Sequence, residues 1–247
     1  MAFSEFNIAL VLSASRFTPL MISGGLPPFS RVPKSIRIIL LIVVAGVFAS
    51  TAKLTQIQET DERLVFYILS EIMLGFVFVF SLAMVYGAID FVGKTIDVHM
   101  GFAAVNVFNP FSGQTGSLLG NALMMTLITL LVTLNIHVDL VRLIGLSFDF
   151  VPLGEVNIAV EPKRFLAHLA GVFVMTVMMF IPVFSALFLV DFAIGMVSKS
   201  MPQMNVYFVT LPLKIFCGVI FMALTVRSSA PAFVDLAKQT TSFIERL

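Results

Sequence analysis

A chain of 247 residues with 59% hydrophobic and 12% charged side chains cannot hide its apolar surface in one soluble core, because soluble domains carry about twice that share of charge. A mean hydropathy of +1.04 marks a multi-helix membrane protein. The net charge of +1 leaves no basic stripe for nucleic acid. The single cysteine, Cys217, excludes a disulfide framework or metal knuckle and reads as a small buried apolar residue.

Six apolar stretches, near 6–26, 36–52, 64–88, 118–136, 165–196 and 206–226, reach or exceed the length of a bilayer span, about 17–25 residues. In the first, Ser13-Ala14-Ser15 imitates a signal cleavage site, but Glu5 stands where a basic start belongs, so 6–26 is expected to be a retained helix. "GLPPFSRVPKSIR" at 25–37, with three prolines and three basic residues, reads as a rigid interfacial turn. "TQIQETDERL" at 55–64 is a solvated connection. Between the third and fourth stretches lies the uncharged "NVFNPFSGQTGS" at 106–117, carrying Pro110, Gly113 and Gly116 among Phe108 and Phe111. Irregular backbone at membrane depth is tolerated only where it lines a cavity or is buried in protein. By residues alone this is either such a lining or a tight packing turn.

The fifth stretch follows Pro162, placed to start a helix, and its 32 residues would run about 48 Å against a hydrocarbon core of about 30 Å, with a kink expected at Pro182. In the tail, Phe233, Leu236, Ala237, Phe243, Ile244 and Leu247 recur among charges as in an amphipathic helix facing the membrane or a partner. The connections 53–63, 137–164 and 227–247 hold eight Lys and Arg, against five in 27–37, 89–117 and 197–205, a lean toward both termini inside that is too small to set an orientation. The chain has 26 Phe and 14 Met but three Tyr and no Trp. Without the usual aromatic belt, much of the apolar surface is expected to meet protein rather than lipid, unless the composition has simply drifted.

Charges inside apolar stretches carry the chemical signal. Arg16, Glu71, Asp191 and Lys214 sit within them, as does His168; Asp90, Lys94 and Asp97 follow the third stretch, and Lys199 the fifth. Each central charge costs about 2.5–3.5 kcal/mol unless it meets water, a counter-charge or the interior of a complex. Arg16, Glu71, Asp90, Lys94, Asp191, Lys199 and Lys214 are therefore candidate buried or interface charges. If the third helix continues, Asp90 and Lys94 at i,i+4 pair on one face that Asp97 shares. Three readings follow: a polar pathway or charge-matched subunit contact, an internal pair that fixes packing, or a proton-coupled transporter using Asp191 or Glu71. Against the last, no pair of broken helices with matching acids appears. His99, His137 and His168 are scattered without a His-Glu-x-x-His pattern, no Gly-x-Ser-x-Gly elbow occurs, and "GQTGSLLG" at 113–120 lacks the Gly-Lys-Ser/Thr of a phosphate loop. No catalytic residue, metal site or cofactor is assigned.

Residues 195–218, "GMVSKSMPQMNVYFVTLPLKIFCG", are the most specific stretch. Pro202, Gln203, Met204, Asn205 and Val206, an aromatic residue, then Pro212-Leu213-Lys214 and Gly218 closely resemble the signature of the FliR family, the export-gate membrane protein of the flagellar type III secretion apparatus; injectisome counterparts share the pattern. Lys199 stands where that family commonly has Arg, keeping the charge without the bidentate fork. Arg16 with Pro19, Glu71 with Gly75, Gly87 with Asp90, Gly101-Phe102, Asn109-Pro110, His137, Ser147-Phe148 with Pro152, and Ile181-Pro182-Val183 also fit, over about 220 residues; Asn109 replaces a frequent Asp.

The resemblance implies an all-α, membrane-associated subunit of a helical hetero-oligomeric gate, with about six long apolar helices, some kinked. It would co-assemble with FliP and FliQ, associate with FlhB, and sit in the bacterial inner membrane at the flagellar basal body. Residues 1–164 are expected to be FliP-like and 165–247 a FliQ-like hairpin with an amphipathic tail, in one structural unit. Asn106, Phe108, Asn109, Pro110, Phe111, Ser112, Gly113, Gln114, Thr115 and Gly116 would project into the channel and plug it, non-enzymatically, against unfolded export substrates. A stand-alone ion-coupled transporter is the alternative.

Overall fold

The computed structural model describes residues 3–22, 32–51, 63–102, 117–135, 138, 142, 145–149, 151–154, 161–201 and 206–244. Among them the protein is all-α: α1 Phe3–Ile22, α2 Lys34–Thr51, α3 Leu64–Met100, α4 Leu118–Thr133, α5 Pro162–Ser200, α6 Val206–Ser228 and α7 Ala230–Ile244. The third apolar stretch extends twelve residues past position 88 because Asp90, Lys94, Asp97 and His99 continue the same helix to Met100. It stops at Gly101, whose φ of +86° suits a residue without Cβ. Pro162 opens α5, where a missing backbone donor costs nothing, and the helix runs on through Pro182 for 39 residues, about 58 Å at 1.5 Å each.

Among the described residues three helices are long and apolar enough to cross a bilayer by length and composition: Leu64–Met100, Pro162–Ser200 and Thr210–Ser228. α4, at 16 residues, is shorter. Of the most apolar windows of the three, 50%, 33% and 17% are buried inside the chain, so much of α5 and most of α6 need another apolar surface. Ile38, Ile39, Ile42 and Val43 on α2, Phe188, Leu189 and Phe192 on α5, and Phe216 and Leu224 on α6 are exposed in the same way.

The chain forms two units. The first comprises Met1–Met84, Leu131–Leu169 and Lys238–Leu247; the second, Val85–Leu130 and Ala170–Ala237. In the first, α1 packs on α2 through Ile8, Ala9, Leu12, Phe17 and Ala49, joined by Phe148 and Leu153. Phe17, Phe48 and Phe148 form an aromatic triangle with centroids 4.9–5.8 Å apart. In the second, Ile89, Val92, Ile96 and Met100 line one face of α3 at helical spacing, and Leu119, Leu123 and Leu127 one face of α4. A Cβ on Gly93 would lie 2.4 Å from the Gly120 Cα, so these two helices meet backbone to backbone. Phe180 of α5 meets Phe233 of α7 edge-on at 6.4 Å.

Candidate functional site

Two polar arrangements stand out, one in each unit. In the first, Arg16 on α1 and Glu71 on α3 are 2% and 0% exposed, which a lone charge could not endure. Arg16 Nε donates to Glu71 Oε2 at 2.5 Å. Its Nη1 donates to the Ser147 carbonyl at 3.1 Å and faces Ser147 Oγ at 3.3 Å, and its Nη2 donates to the Val151 carbonyl at 2.9 Å. The Gly154 N–H donates to Glu71 Oε1 at 3.2 Å, from a glycine with φ of +85°. Beneath the guanidinium lies the Phe148 ring, 4.2 Å from Cζ. Both ions are thus served by each other and by backbone, and the cluster ties α1, α3 and segment 147–154 into one body.

One turn along, a Cβ on Gly75 would lie 2.2 Å from the Arg16 carbonyl oxygen and 3.0 Å from the Pro19 ring. Arg16, Pro19, Glu71, Gly75, Ser147 and Phe148, which resemble the family pattern in three separate stretches, therefore meet at one place in the fold.

The second arrangement joins the end of α3 to the start of α4. Asp97, 6% exposed, accepts the Ser117 hydroxyl at 2.5 Å through Oδ2, and the Leu119 N–H lies 3.2 Å from both its carboxylate oxygens. Ser117 Oγ in turn accepts the Gly120 N–H at 2.7 Å, as a helix-capping serine does. Lys94 pairs instead with Asp90 at 2.5 Å on a half-exposed face. Asp97 therefore serves the N-terminus of α4, where a carboxylate complements the helix dipole, rather than joining the Asp90–Lys94 pair.

Asp191 of α5 is ion-paired with Lys214 of α6, both partly exposed. Lys199 is exposed near the end of α5 and has no ion-pair partner among the described residues. His168 is buried and stacked 4.1 Å over Phe243, with no partner for its Nε2 among the described residues, and His99 meets Phe184 edge-on at 6.1 Å. Pro212 lies exposed within α6. The candidate plug residues Asn106, Phe108, Asn109, Pro110, Phe111, Ser112, Gly113, Gln114, Thr115 and Gly116, and the signature residues Pro202, Gln203, Met204 and Asn205, lie outside the described residues. Asp97 and Ser117 were not among the candidate site residues; a serine just before an apolar run is a legible cap signal, whereas its tie to Asp97 requires the fold.

The fold and these contacts define a class: a helical membrane protein that holds its deepest charges with its own backbone and leaves broad apolar faces for other surfaces. The chain belongs to the family described as bacterial export proteins, family 1, which matches residues 7–240. Over 224 residues it is 28% identical to the flagellar biosynthetic protein FliR of Bacillus subtilis, covering 89% of this chain and 85% of that protein. FliR of Aquifex aeolicus is 27% identical over 225 residues, 90% of this chain and 86% of its own length. The Yop proteins translocation protein T of Yersinia pestis is 24% identical over 171 residues, 68% of this chain and 66% of its own.

Proposed function

We propose that this chain is a non-enzymatic membrane subunit of the flagellar type III export gate, helping to form and plug the channel through which unfolded flagellar proteins cross the inner membrane. The observation that carries this reading is the family match across 7–240, with FliR proteins aligned over 85% or more of their own lengths. In this reading FliP and FliQ are co-subunits, FlhB is associated, and the complex sits at the flagellar basal body. Residues 1–164 are the FliP-like part and 165–247 the FliQ-like part. The exposed apolar faces of α2, α5 and α6 suit a subunit that is covered by neighbours. The uncharged residues 106–116 are the plug: their glycines permit unusual backbone angles, and Phe108 and Phe111 can close a dry constriction.

Among the described residues both candidate carriers of the ion-coupled transporter reading are already engaged. Glu71, a carrier in that reading, is bonded to Arg16 and Gly154, and Asp191, the other, is paired with Lys214.

The test is purification of the tagged chain in mild detergent with and without FliP and FliQ, read by native mass spectrometry, followed by deletion of 109–115 in the complex. A large hetero-oligomer with this chain at low copy number, tight to ions until the deletion makes it leak, is expected. A stable monomer or symmetric homo-oligomer rules out the gate reading, and an assembled, tight deletion complex rules out the plug.

A further inference from the structure

The two ends of α7 are held differently, and the helix is divided between the two units after Ala237. In the second unit Phe233 and Leu236 are 2% and 0% exposed, and Phe233 meets Phe180. In the first, the end of α7 presents Phe243, which is only half-buried. Its ring lies on the His168 imidazole of α5, with centroids 4.1 Å apart and planes 4° from parallel. Phe165, one turn before His168, reaches the same ring at 6.1 Å.

His168 is itself buried, and its Nε2 has no partner among the described residues. A neutral imidazole tolerates this, because that nitrogen then only forgoes an accepted bond. An imidazolium carries an N–H on both nitrogens and a charge, and an unpaired ion in a dry site is far more costly than an unmet neutral acceptor. Attraction of the cation to the Phe243 face offsets a small part of that. Nearby charges do not change the balance. Arg164, one turn before His168, is itself a cation, exposed and paired with Glu161 at 2.8 Å, and Lys163 is exposed beside it. On α7, Asp235 and Lys238 are exposed, and neither is ion-paired with His168. Burial, not a neighbouring charge, governs how the ring titrates. The closed stack therefore admits the neutral ring alone and the opened one admits both forms, so acid draws the pair apart.

We propose that His168 and Phe243 form a pH-sensitive clasp: the end of α7 lies on α5 while the imidazole is neutral and lifts away when it is protonated, with Phe233 and Leu236 keeping the rest of α7 in place.

The test is hydrogen exchange on the complex purified in mild detergent, at about pH 7.5 and about pH 5.5, corrected for the intrinsic rate at each. Peptides covering 238–244 are expected to exchange at least about tenfold faster in acid, while those covering 230–236 stay protected at both. His168→Phe, which stacks but cannot charge, is expected to remove the pH dependence, and His168→Ala to exchange fast at both values. Equal protection in the unaltered chain at the two values, tighter protection in acid, protection kept in His168→Ala, or a pH dependence that survives His168→Phe overturns the clasp. Loss of protection along the whole of α7 in acid overturns the claim that release is confined to its end. Should His168→Phe not assemble, His168→Gln, which also cannot charge, takes its place, and its pH independence is the readout.

Discussion

Glu71→Ala is the substitution whose consequence the structure sets most firmly. The side chain is fully buried, and its loss removes the 2.5 Å bond to Arg16 Nε and the acceptor of the Gly154 N–H. Arg16 keeps the Ser147 and Val151 carbonyls and the Phe148 ring, but no counter-charge among the described residues. Breaking a buried pair from one side costs about 3–5 kcal/mol, two to three and a half decades in the folded-to-unfolded ratio. The double replacement Arg16→Met with Glu71→Leu discriminates further. Swapping a buried ion pair for apolar residues is often neutral when the ions serve only each other. Here it strands the Val151 carbonyl and the Gly154 N–H, at about 1–3 kcal/mol each, while the Ser147 carbonyl keeps the Val151 N–H at 3.0 Å, so the double variant is expected to stay at least about 2 kcal/mol below the unaltered chain. Pulse proteolysis across a urea series, on complex purified in mild detergent, measures both. A Glu71→Ala loss under about 1 kcal/mol, or a double variant at full stability, refutes the claim that this pair holds segment 147–154 in place.

Gly75→Ala puts a methyl group 2.2 Å from the Arg16 carbonyl and 3.0 Å from the Pro19 ring, neither of which can turn aside. A loss of about 1–3 kcal/mol is expected by the same assay, whereas Gly87→Ala, with nothing within 4 Å, is expected to be neutral or slightly stabilising. Equal effects would mean that α1 and α3 part easily. Asp191→Ala and Lys199→Ala are expected to lower recovery of the hetero-oligomer several-fold more than Lys163→Ala, an exposed position at the start of α5, while changing the chain's own stability by about 1 kcal/mol or less. Recovery equal to that of Lys163→Ala would show that these charges do not face a partner.

The difficulty of burying charge was legible in the sequence, but the partners that relieve it were not. Arg16 and Glu71 announced themselves by standing in apolar runs, yet they lie 55 residues apart, and half of what holds them is main chain. Carbonyls at 147 and 151 leave no mark in a sequence. The limit of the third helix was misjudged for a related reason. Hydropathy ends near position 88, but a helix already paid for by packing against α4 carries Asp90, Lys94 and Asp97 without breaking. Arg16, Glu71 and Ser147 with Phe148, which resemble the family pattern in three separate stretches, meet in one cluster that no periodicity indicates. α7 was read correctly as an amphipathic helix, but its apolar face does not wait for the membrane or a partner: Phe233 and Leu236 are buried within the chain, Phe233 against Phe180.

The charges of this chain divide by what satisfies them. Arg16, Glu71 and Asp97 are consumed inside it, each bonded to backbone or to a residue that shapes a helix start. Removing any of them acts first on the shape of the subunit and only through that on a channel. Asp191, Lys214 and Lys199 are left at least partly open on α5 and α6, whose apolar windows are the least buried of the three long helices. An ion pair on so apolar a surface is poorly placed in lipid, where each central charge costs about 2.5–3.5 kcal/mol, and well placed against a polar patch on another helix. The same surface that leaves the isolated chain uncovered thus carries the charges by which a neighbour could be aligned in register. Shape is set from within; whether register is set from without is what the recovery of Asp191→Ala and Lys199→Ala decides.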